Sequence, residues 1–283
     1  MKKLAFLLCL AVWAVACENG GPEGTAAGDI DYIEFLRYDN GEAAGAHSKI
    51  VYTPSFDAKG RLTKSLEQWY FSDHETGKLA ANQYYVTSFT YDDAKNTVTY
   101  ERGNGYWDYS ASTPGWSVPE VSESGTLPLN SDGFVTAWAD RKATFTYKDG
   151  FLDIYESDKD SDYWWKECTY VWKDGDLQKI SVRNNRTPYD AYTFTYTGTL
   201  NPFGCYDIIS SGLCGWIDGE IGHWAAGLFG QHSKHLIKTE SDENGTVNYT
   251  YKKDKSGRIS EVRRADGEAV GGPVGGVFKI HWK

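Results

Sequence analysis

The sequence predicts an all-β protein: a curved antiparallel sheet or half-barrel of consecutive hairpins, whose concave face is covered by a short insertion of helices and loops. Three observations support this fold class. Aromatic residues make up 15% of the chain, and aromatic side chains favour strands. A single Met and few long apolar runs of helical periodicity accompany them. A short phrase that joins alternating aromatics to a turn also recurs along the chain.

The recurring phrase is clearest in two neighbouring copies, ATFTYKDGFLDI at residues 143–154 and CTYVWKDGDLQKI at residues 168–180. Looser copies occupy residues 54–66, 88–100, 128–138 and 248–262. In most copies, aromatic rings at every second position precede a cluster of Asp and Lys that ends in Gly or Asn. The period of two places the rings on one face of a strand, and the cluster supplies residues that tolerate positive φ. Each copy is therefore predicted to be a β-hairpin, and the rings to form one aromatic surface.

The strand after two of the turns breaks this alternation. Leu177 is followed by Ile180, and Ile259 by Val262. A spacing of three moves an apolar side chain to the other face of a regular strand. A β-bulge restores the face because it inserts one extra residue. We predict bulges or strong local twist in both strands.

The N-terminus carries an export signal. Residues 1–16 join two lysines to an apolar run that is typical of a signal peptide and too short to span a bilayer. The following Cys17 completes a sequence that resembles a bacterial lipobox, so we expect it to carry lipid after cleavage. The alternative is an ordinary signal peptide with a cysteine at its cleavage site. Residues 17–29 are predicted to be a flexible tether, and residues 30–283 a single β domain with an insertion at 201–235.

The net charge of the chain limits which classes of partner it is expected to bind. The formal net charge is −10 and no basic cluster stands out, which argues against nucleic acid and against electrostatic docking onto anionic lipid. We therefore expect membrane contact through the N-terminal lipid only. The expected location is the cell envelope, with the protein lipid-anchored in the outer membrane and either periplasmic or surface-exposed.

The insertion at 201–235 differs from the rest of the chain, since it is apolar, rich in Gly and poor in alternation. We predict that it folds as short helices and loops over the aromatic face, because a face of that size would otherwise stay wet. Near its end, His232 and His235 are three residues apart and could share a metal on one helical turn. Zinc needs a third ligand, and the sequence offers no clear partner. We interpret this QHSKH phrase as a structural cap or turn.

Together, the lipobox, the repeated Y-x-Y-[KD]-D-x-G-x-[LI] hairpins and the NPFG…GLFGQHSKHL text resemble a family of Bacteroidetes lipoproteins that have a porin-like fold and no established function. The resemblance covers most of the chain after about residue 30. The hairpin phrase by itself is also similar to the YD repeats of large secreted toxins and shell proteins. The resemblance implies a strongly curved sheet or partial barrel rather than transport, and it supplies no catalytic residues.

The cysteines leave one question open. If Cys17 carries lipid, then Cys168, Cys205 and Cys214 remain, and an odd number cannot be fully paired within one chain. Export permits a disulfide between Cys205 and Cys214. A continuous helix between them would instead hold their Cα atoms roughly 13 Å apart, which is too far for a bridge. Both the bridge and free buried thiols stand as alternatives.

One acidic stretch has the alternation of a calcium loop, with Asp158, Asp160 and Asp162 at its first, third and fifth positions. Such loops need a sharp turn at the sixth position and a bidentate acid at the twelfth. Here those positions are Tyr163 and Thr169. The three aspartates are therefore a weak calcium candidate, and an acidic solvated hairpin loop is the preferred interpretation.

Aromatic residues in two predicted loops or hairpin ends are the main candidates for ligand binding. They are Tyr106, Trp107, Tyr109 and Trp116 in the first stretch, and Tyr163, Trp164 and Trp165 in the second. Exposed rings beside Asp and Asn can stack on sugars while the polar groups bind hydroxyls. The alternative is that these rings extend the aromatic core.

No G-x-S-x-G, H-E-x-x-H or phosphate-loop motif occurs. We therefore expect a non-enzymatic binding or structural lipoprotein with a glycan or protein ligand and no cofactor. The alternative is a lipid-anchored hydrolase that acts on glycans.

Overall fold

The computed structural model describes residues 29–38, 45–73, 76–110, 112–161, 164–203, 227–266 and 275–283. Within them, seventeen antiparallel strands form one open, curved sheet, which confirms the predicted all-β class. One 3₁₀ helix, Ala139–Arg141, lies wholly within these residues, and no helix among them is long and apolar enough to cross a bilayer. The signal peptide, the tether up to residue 28 with Cys17, residues 162–163 with Asp162 and Tyr163, and residues 204–226 of the insertion with Cys205 and Cys214 lie outside the described residues.

The first nine strands cover the N-terminal half. They are β1 (Ile30–Tyr38), β2 (Ser48–Phe56), β3 (Leu62–Ser72), β4 (Leu79–Asp92), β5 (Thr97–Asp108), β6 (Gly115–Trp116), β7 (Glu120–Pro128), β8 (Ala137–Trp138) and β9 (Ala143–Lys148). The remaining strands are β10 (Phe151–Ser157), β11 (Lys166–Lys173), β12 (Asp176–Asn184), β13 (Thr187–Leu200), β14 (His235–Asp242), β15 (Gly245–Lys253), β16 (Ile259–Asp266) and β17 (Gly275–Trp282).

Most strands pair with their successors in the chain. The order runs from β7 through β5, β4, β3 and β2 to β1, and continues from β17 down to β9 and β8, while the short β6 pairs with β5. Strand β1 joins the two halves, since Ile33 lies opposite both Tyr52 of β2 and Ile280 of β17. The two ends of the sheet meet at an isolated bridge between Leu129 and Val135. The two strands at the ends of the sheet order, β7 and β8, therefore lie next to each other.

All six copies of the recurring phrase form hairpins, as predicted. The turns lie between β2 and β3, β4 and β5, β7 and β8, β9 and β10, β11 and β12, and β15 and β16. In the two KDG copies the Asp–Gly pairs adopt left-handed backbone, with φ of 54° and 81° at Asp149 and Gly150 and of 55° and 87° at Asp174 and Gly175. These turns all lie at one end of the sheet, which we call the turn end; the opposite end is the loop end.

Bulges follow the turns where the spacing of apolar residues predicts them. Strand β12 skips Gln178 in its pairing with β11, and β16 skips Ser260 in its pairing with β15. The same irregularity occurs at Thr63, Asp153 and Lys238. Both predicted bulges are thus confirmed, and they keep the apolar side chains on the buried face.

An aromatic side chain binds the main chain beside each of these bulges. The donors and carbonyl acceptors are Tyr91 and Leu62 (3.1 Å), Tyr147 and Val135 (2.6 Å), Trp172 and Leu152 (2.7 Å), Tyr196 and Leu177 (2.7 Å), Tyr251 and Ile237 (2.5 Å), and Trp282 and Ile259 (2.8 Å). In five of the six pairs, all but Tyr147 and Val135, the acceptor directly precedes a bulged residue. A bulge disrupts the ladder locally, and a buried carbonyl needs a partner, so the ring of a neighbouring strand supplies one.

The described part of the insertion runs across the turn end. The Leu228 carbonyl accepts from Val135 N–H, while the Gln231 and Lys234 N–H groups donate to the carbonyls of Gly150 and Gly175, each at 2.9 Å. Three successive turns are thus contacted at a spacing of three residues. We call residues 227–235 the strap.

The end of the strap is held by side chains. Nδ1 of His235 lies 2.8 Å from Oδ2 of Asp176, and Oγ of Ser233 lies 2.9 Å from the Tyr196 hydroxyl. These contacts tie the strap to the start of β12 and to β13. The QHSKH phrase is therefore a structural cap, as interpreted from the sequence.

Candidate ligand-binding site

A pocket of about 570 Å³ opens at the loop end, beside the β8–β9, β10–β11 and β12–β13 connections. Its lining combines two tryptophans with charged and amide side chains: Asp140, Arg141, Lys142, Ser157, Asp158, Trp164, Trp165, Lys166, Asn184 and Asn185. Ligand pockets in proteins are typically about 300–1,000 Å³. The volume and the mixture of rings with polar groups therefore fit a small polar molecule.

Three side chains on neighbouring strands form one polar row in this pocket. Ser157 of β10 lies opposite Lys166 of β11, which in turn lies opposite Asn184 of β12. Residues opposite one another project to the same face of a sheet, and adjacent strands are about 4.8 Å apart. The row thus offers a hydroxyl, an ammonium and a carboxamide at regular spacing.

The Arg141 side chain projects into the pocket from the 3₁₀ turn, and Glu123 and Trp138 hold it in place. Its Nη2 lies 3.6 Å from Oε1 of Glu123, and its guanidinium carbon lies 5.6 Å from the centre of the Trp138 ring. The hydroxyl of Tyr100 donates to the same Glu123 oxygen at 2.9 Å. Burial and the neighbouring Glu123 carboxylate raise the pKa of Tyr100, so its phenol stays a donor. Trp138 and Tyr100 are fully buried, which makes this support rigid.

The wall beside Arg141 is built from unusual backbone. Lys142, Asp158 and Asn185 have φ of 45°, 49° and 49°, the left-handed region that non-glycine residues rarely occupy. The N–H of Asp158 donates to the Lys142 carbonyl at 3.2 Å, and the Lys142 ammonium lies 3.8 Å from the Asp158 carboxylate. Such conformations cost about 1–3 kcal/mol each when they are strained. Asp and Asn tolerate this conformation in turns, and the three residues form the tight turns of this wall.

The two described tryptophans of the second aromatic stretch play different parts. The Trp164 side chain is 70% exposed, and the main-chain N–H of Trp164 donates to Oγ of Ser161 at 2.9 Å. Trp165 is buried: its Nε1 donates to Glu156 at 2.8 Å, and the Arg186 guanidinium lies 4.8 Å from its ring. Trp164 is therefore available to stack on a ligand, whereas Trp165 anchors the loop. Their predicted partner Tyr163 lies outside the described residues.

The first aromatic stretch lies at the same end but does not line this pocket. Trp107 and Trp116 pack edge to face with ring centres 5.0 Å apart, and Tyr84 adds a third ring 5.3 Å from Trp116. Tyr106 and Tyr109 are 61% and 62% exposed. This stretch thus divides into two packed indoles and two exposed phenols.

The aspartates of the weak calcium candidate are only partly within the described residues. Asp158 lines the pocket beside Lys142, and Asp162 lies outside the described residues. Within the described ranges, no three His, Cys, Asp or Glu side chains cluster in a way that would hold a metal ion.

Sequence reasoning missed seven of the ten lining residues: Asp140, Arg141, Lys142, Ser157, Lys166, Asn184 and Asn185. They lie near the ends of separate strands, and no motif joins them. Strand register brings them together, and Asn185 with Arg186 gives the one local signal, a two-residue turn with both φ positive, at 49° and 61°.

Comparison with solved structures places the fold. A porin-like protein from Bacteroides uniformis ATCC 8492 has a TM-score of 0.63 at 16% identity, over 92% of this chain and 99% of its own. A porin-like protein from Bacteroides vulgatus ATCC 8482 has a TM-score of 0.26 at 10% identity, over 90% of this chain and 98% of its own, which is too low to carry an argument. Searches of protein-family models and of curated proteins find no match. The chain therefore shares the fold of the protein from Bacteroides uniformis, in agreement with the porin-like fold that the sequence resemblance implies.

Proposed function

We propose that this protein is an exported lipoprotein, anchored through Cys17, that binds a saccharide in the loop-end pocket without catalysing a reaction. The observation that carries the proposal is Trp164, an indole 70% exposed at a pocket of about 570 Å³. An aromatic face next to donors and acceptors is the combination that sugar recognition uses, because a sugar has both apolar C–H faces and hydroxyl edges.

The polar groups around Trp164 suit hydroxyl recognition. The Asn184 and Asn185 carboxamides each donate and accept, the Ser157 hydroxyl does both, and the Asp158 carboxylate accepts. Ser157 and Asn184 project from paired strands. A site built on strands holds its groups more precisely than one built on loops alone, which favours binding with little rearrangement.

The position of the chain ends supports an anchored role. The N–H of Lys283 donates to the Asp29 carbonyl at 2.8 Å, so both ends of the described chain lie at the turn end. The pocket lies at the loop end. A lipid on Cys17 would therefore attach the protein at the end opposite the pocket. The tether would join this lipid to the β domain. We propose the outer membrane as the location, and the fold shared with a porin-like protein supports it.

Calorimetry with the mature chain tests saccharide binding. A glycan array identifies sugars that bind the Cys17→Ser protein, and titration then compares it with Trp164→Ala. We expect the substitution to weaken binding at least fivefold, about 1 kcal/mol, since it removes the stacking ring. Tyr106→Ala, which truncates an equally exposed ring outside the pocket, should leave the affinity unchanged. An array on which no sugar binds would remove the carbohydrate proposal.

A glycan hydrolase is the alternative, because Asp140 and Asp158 both line the pocket and paired carboxylates perform that chemistry. Any sugar that binds should be incubated with the protein and its products separated by chromatography. Intact sugar supports a binding protein. Cleavage that is lost in Asp140→Asn or Asp158→Asn would establish the hydrolase instead.

Metabolic labelling tests the anchor. Cells that express the full chain should incorporate radiolabelled palmitate into this protein, and Cys17→Ala should abolish the label. A Cys168→Ala variant should retain it as a control. Label that persists in Cys17→Ala would show that the lipid is attached elsewhere.

A further inference from the structure

We infer that the saccharide carries an acetamido group, which the Asn184 and Asn185 carboxamides bind while its methyl group packs on Trp164. This inference rests on the proposed function and names the class of sugar, an N-acetylated amino sugar. All three side chains line the same pocket. An acetamido group has an N–H donor, a carbonyl acceptor and an apolar methyl group. Its recognition requires an acceptor, a donor and an apolar surface close together, which these side chains supply.

The charged side chains of the pocket offset one another, which favours a neutral ligand. The lining and the Glu123 carboxylate behind it hold equal numbers of cations and acids: Arg141, Lys142 and Lys166, and Asp140, Asp158 and Glu123. Arg141 lies 3.6 Å from Glu123, and the Lys142 ammonium lies 3.8 Å from the Asp158 carboxylate. With no excess of either sign, the wall gives a charged sugar little electrostatic advantage. Specificity therefore depends on the neutral hydrogen-bonding groups.

The two carboxamides are fixed through their main chain and leave their side chains for a ligand. The main-chain carbonyl of Asn184 accepts from the Thr187 hydroxyl at 2.9 Å, and the main-chain N–H of Asn185 donates to the Trp165 carbonyl at 2.9 Å. Among the residues that the structure describes, neither carboxamide has a hydrogen bond to another protein group. Each carboxamide offers N–H donors and an oxygen acceptor. Together they can bind both the N–H and the carbonyl of an acetamido group.

Trp164 supplies the apolar contact beside these carboxamides. The Asn185 hydrogen bond to Trp165 ties the β12–β13 turn to the loop that carries Trp164, and the Trp164 side chain is 70% exposed. The acetamido methyl group would cover part of this indole. A sugar with a hydroxyl at the same position leaves the indole wet there and satisfies fewer carboxamide groups. A site that hydrogen-bonds a substrate group discriminates against an analogue that lacks the group, so the acetamido sugar should be preferred.

Pairs of sugars that differ only in the acetamido group test this inference. Tri-N-acetylchitotriose and cellotriose have the same rings and linkages, and N-acetylgalactosamine and galactose form a second pair with the other ring configuration. Calorimetry measures all four with the mature Cys17→Ser protein. We expect the acetamido member of at least one pair to bind about tenfold more tightly, since its partner loses hydrogen bonds and a buried methyl group. Fully deacetylated chitotriose should bind no better than cellotriose; if it matched the acetylated form, the inference would be wrong.

Variants assign the preference to the two carboxamides. Asn184→Ala and Asn185→Ala should each reduce the preference for the acetamido sugar while the affinity for its hydroxyl partner is retained. Asn184→Asp keeps the size of the side chain but removes its N–H donors, and it should act in the same direction. Asn104→Ala is the matched control, since Asn104 is an exposed asparagine of β5 that does not line the pocket.

The outcomes separate this inference from the proposed function. Equal binding within both pairs, or binding only of sugars without an acetamido group, would overturn the inference and leave the proposed function standing. A preference that survives in all three variants of Asn184 and Asn185 would also overturn it. Failure of every saccharide, with or without an acetamido group, would overturn both.

Discussion

The indole N–H of Trp172 donates a 2.7 Å hydrogen bond to the main-chain carbonyl of Leu152, on the neighbouring strand. Leu152 lies two residues beyond a turn glycine and directly before the bulged Asp153. Trp172 is the last aromatic before the next turn. The copies at residues 143–154, 168–180 and 248–262 therefore carry both halves of this kind of contact: each offers a carbonyl after its turn and an aromatic donor before it. This link between successive hairpins explains why the chain repeats aromatics as well as turns.

The hydroxyl of Tyr147 should contribute measurably to stability. It donates to the Val135 carbonyl at 2.6 Å, and burial raises the pKa of Tyr147. Tyr147→Phe keeps the ring but removes the donor, so we expect a loss of about 1–2 kcal/mol in the free energy of unfolding, measured in urea. Tyr109→Phe removes a similar bond, 2.7 Å to Ala81, from a ring that is 62% exposed, and should cost less than about 0.5 kcal/mol. Equal losses in the two variants would contradict this explanation.

Alanine substitutions at two glycines test whether the strap packs closely against the sheet. Gly230 and Gly133 have positive φ, 97° and 85°, but an added Cβ at Gly230 would lie 2.9 Å from the Leu152 nitrogen, whereas Gly133 has open space. Alanine at either position strains the backbone by about 1 kcal/mol. We expect Gly230→Ala to lose clearly more stability in urea titrations, because the strap must also move away from β10. If both variants lose the same amount, the strap does not pack as tightly as described.

The buried Glu67 should make stability depend on pH. Burial raises the pKa of Glu67 above its ordinary value of 4.5, and the nearby Arg102 opposes this only in part. An acid with a raised pKa holds its proton more tightly in the folded chain, so its contribution to stability falls as pH rises above 4.5. Relative to wild type, Glu67→Gln should therefore gain stability between pH 4.5 and pH 7. Exposed Glu120→Gln serves as the control, and a difference from wild type that is constant with pH would refute the assignment.

The thiol of Cys168 should be unreactive in the native protein. Cys168 is fully buried, and burial raises its pKa to about 11, whereas alkylation requires an accessible thiolate. With iodoacetamide at pH 8, the peptide that contains Cys168 should remain unmodified in mass spectra of the native protein. It should become labelled after denaturation in urea. Rapid labelling of the native protein would show that this part of the core opens.

Much of the fold could be predicted from short segments of sequence, because a turn, or a strand with alternating aromatic residues, depends on residues a few positions apart. The bulges at Gln178 and Ser260 followed from a spacing of three between apolar residues. The candidate site could be predicted only in part. The sequence placed Trp164 and Trp165 together in one loop, but it could not tell that one is 70% exposed and the other 3%, because that difference depends on the Glu156 and Arg186 side chains that cover Trp165.

The sequence by itself determined the all-β class, the hairpin units and the aromatic face, since each depends on residues a few positions apart. The tertiary structure alone decided the pocket. Ser157, Lys166 and Asn184 are separated by loops and turns along the chain, and strand register alone makes them neighbours. Arg141 points into the same space because Glu123, eighteen positions earlier, lies beside it across the junction between the two ends of the sheet. These contacts depend on how the strands pair across the sheet, which no single stretch of sequence encodes.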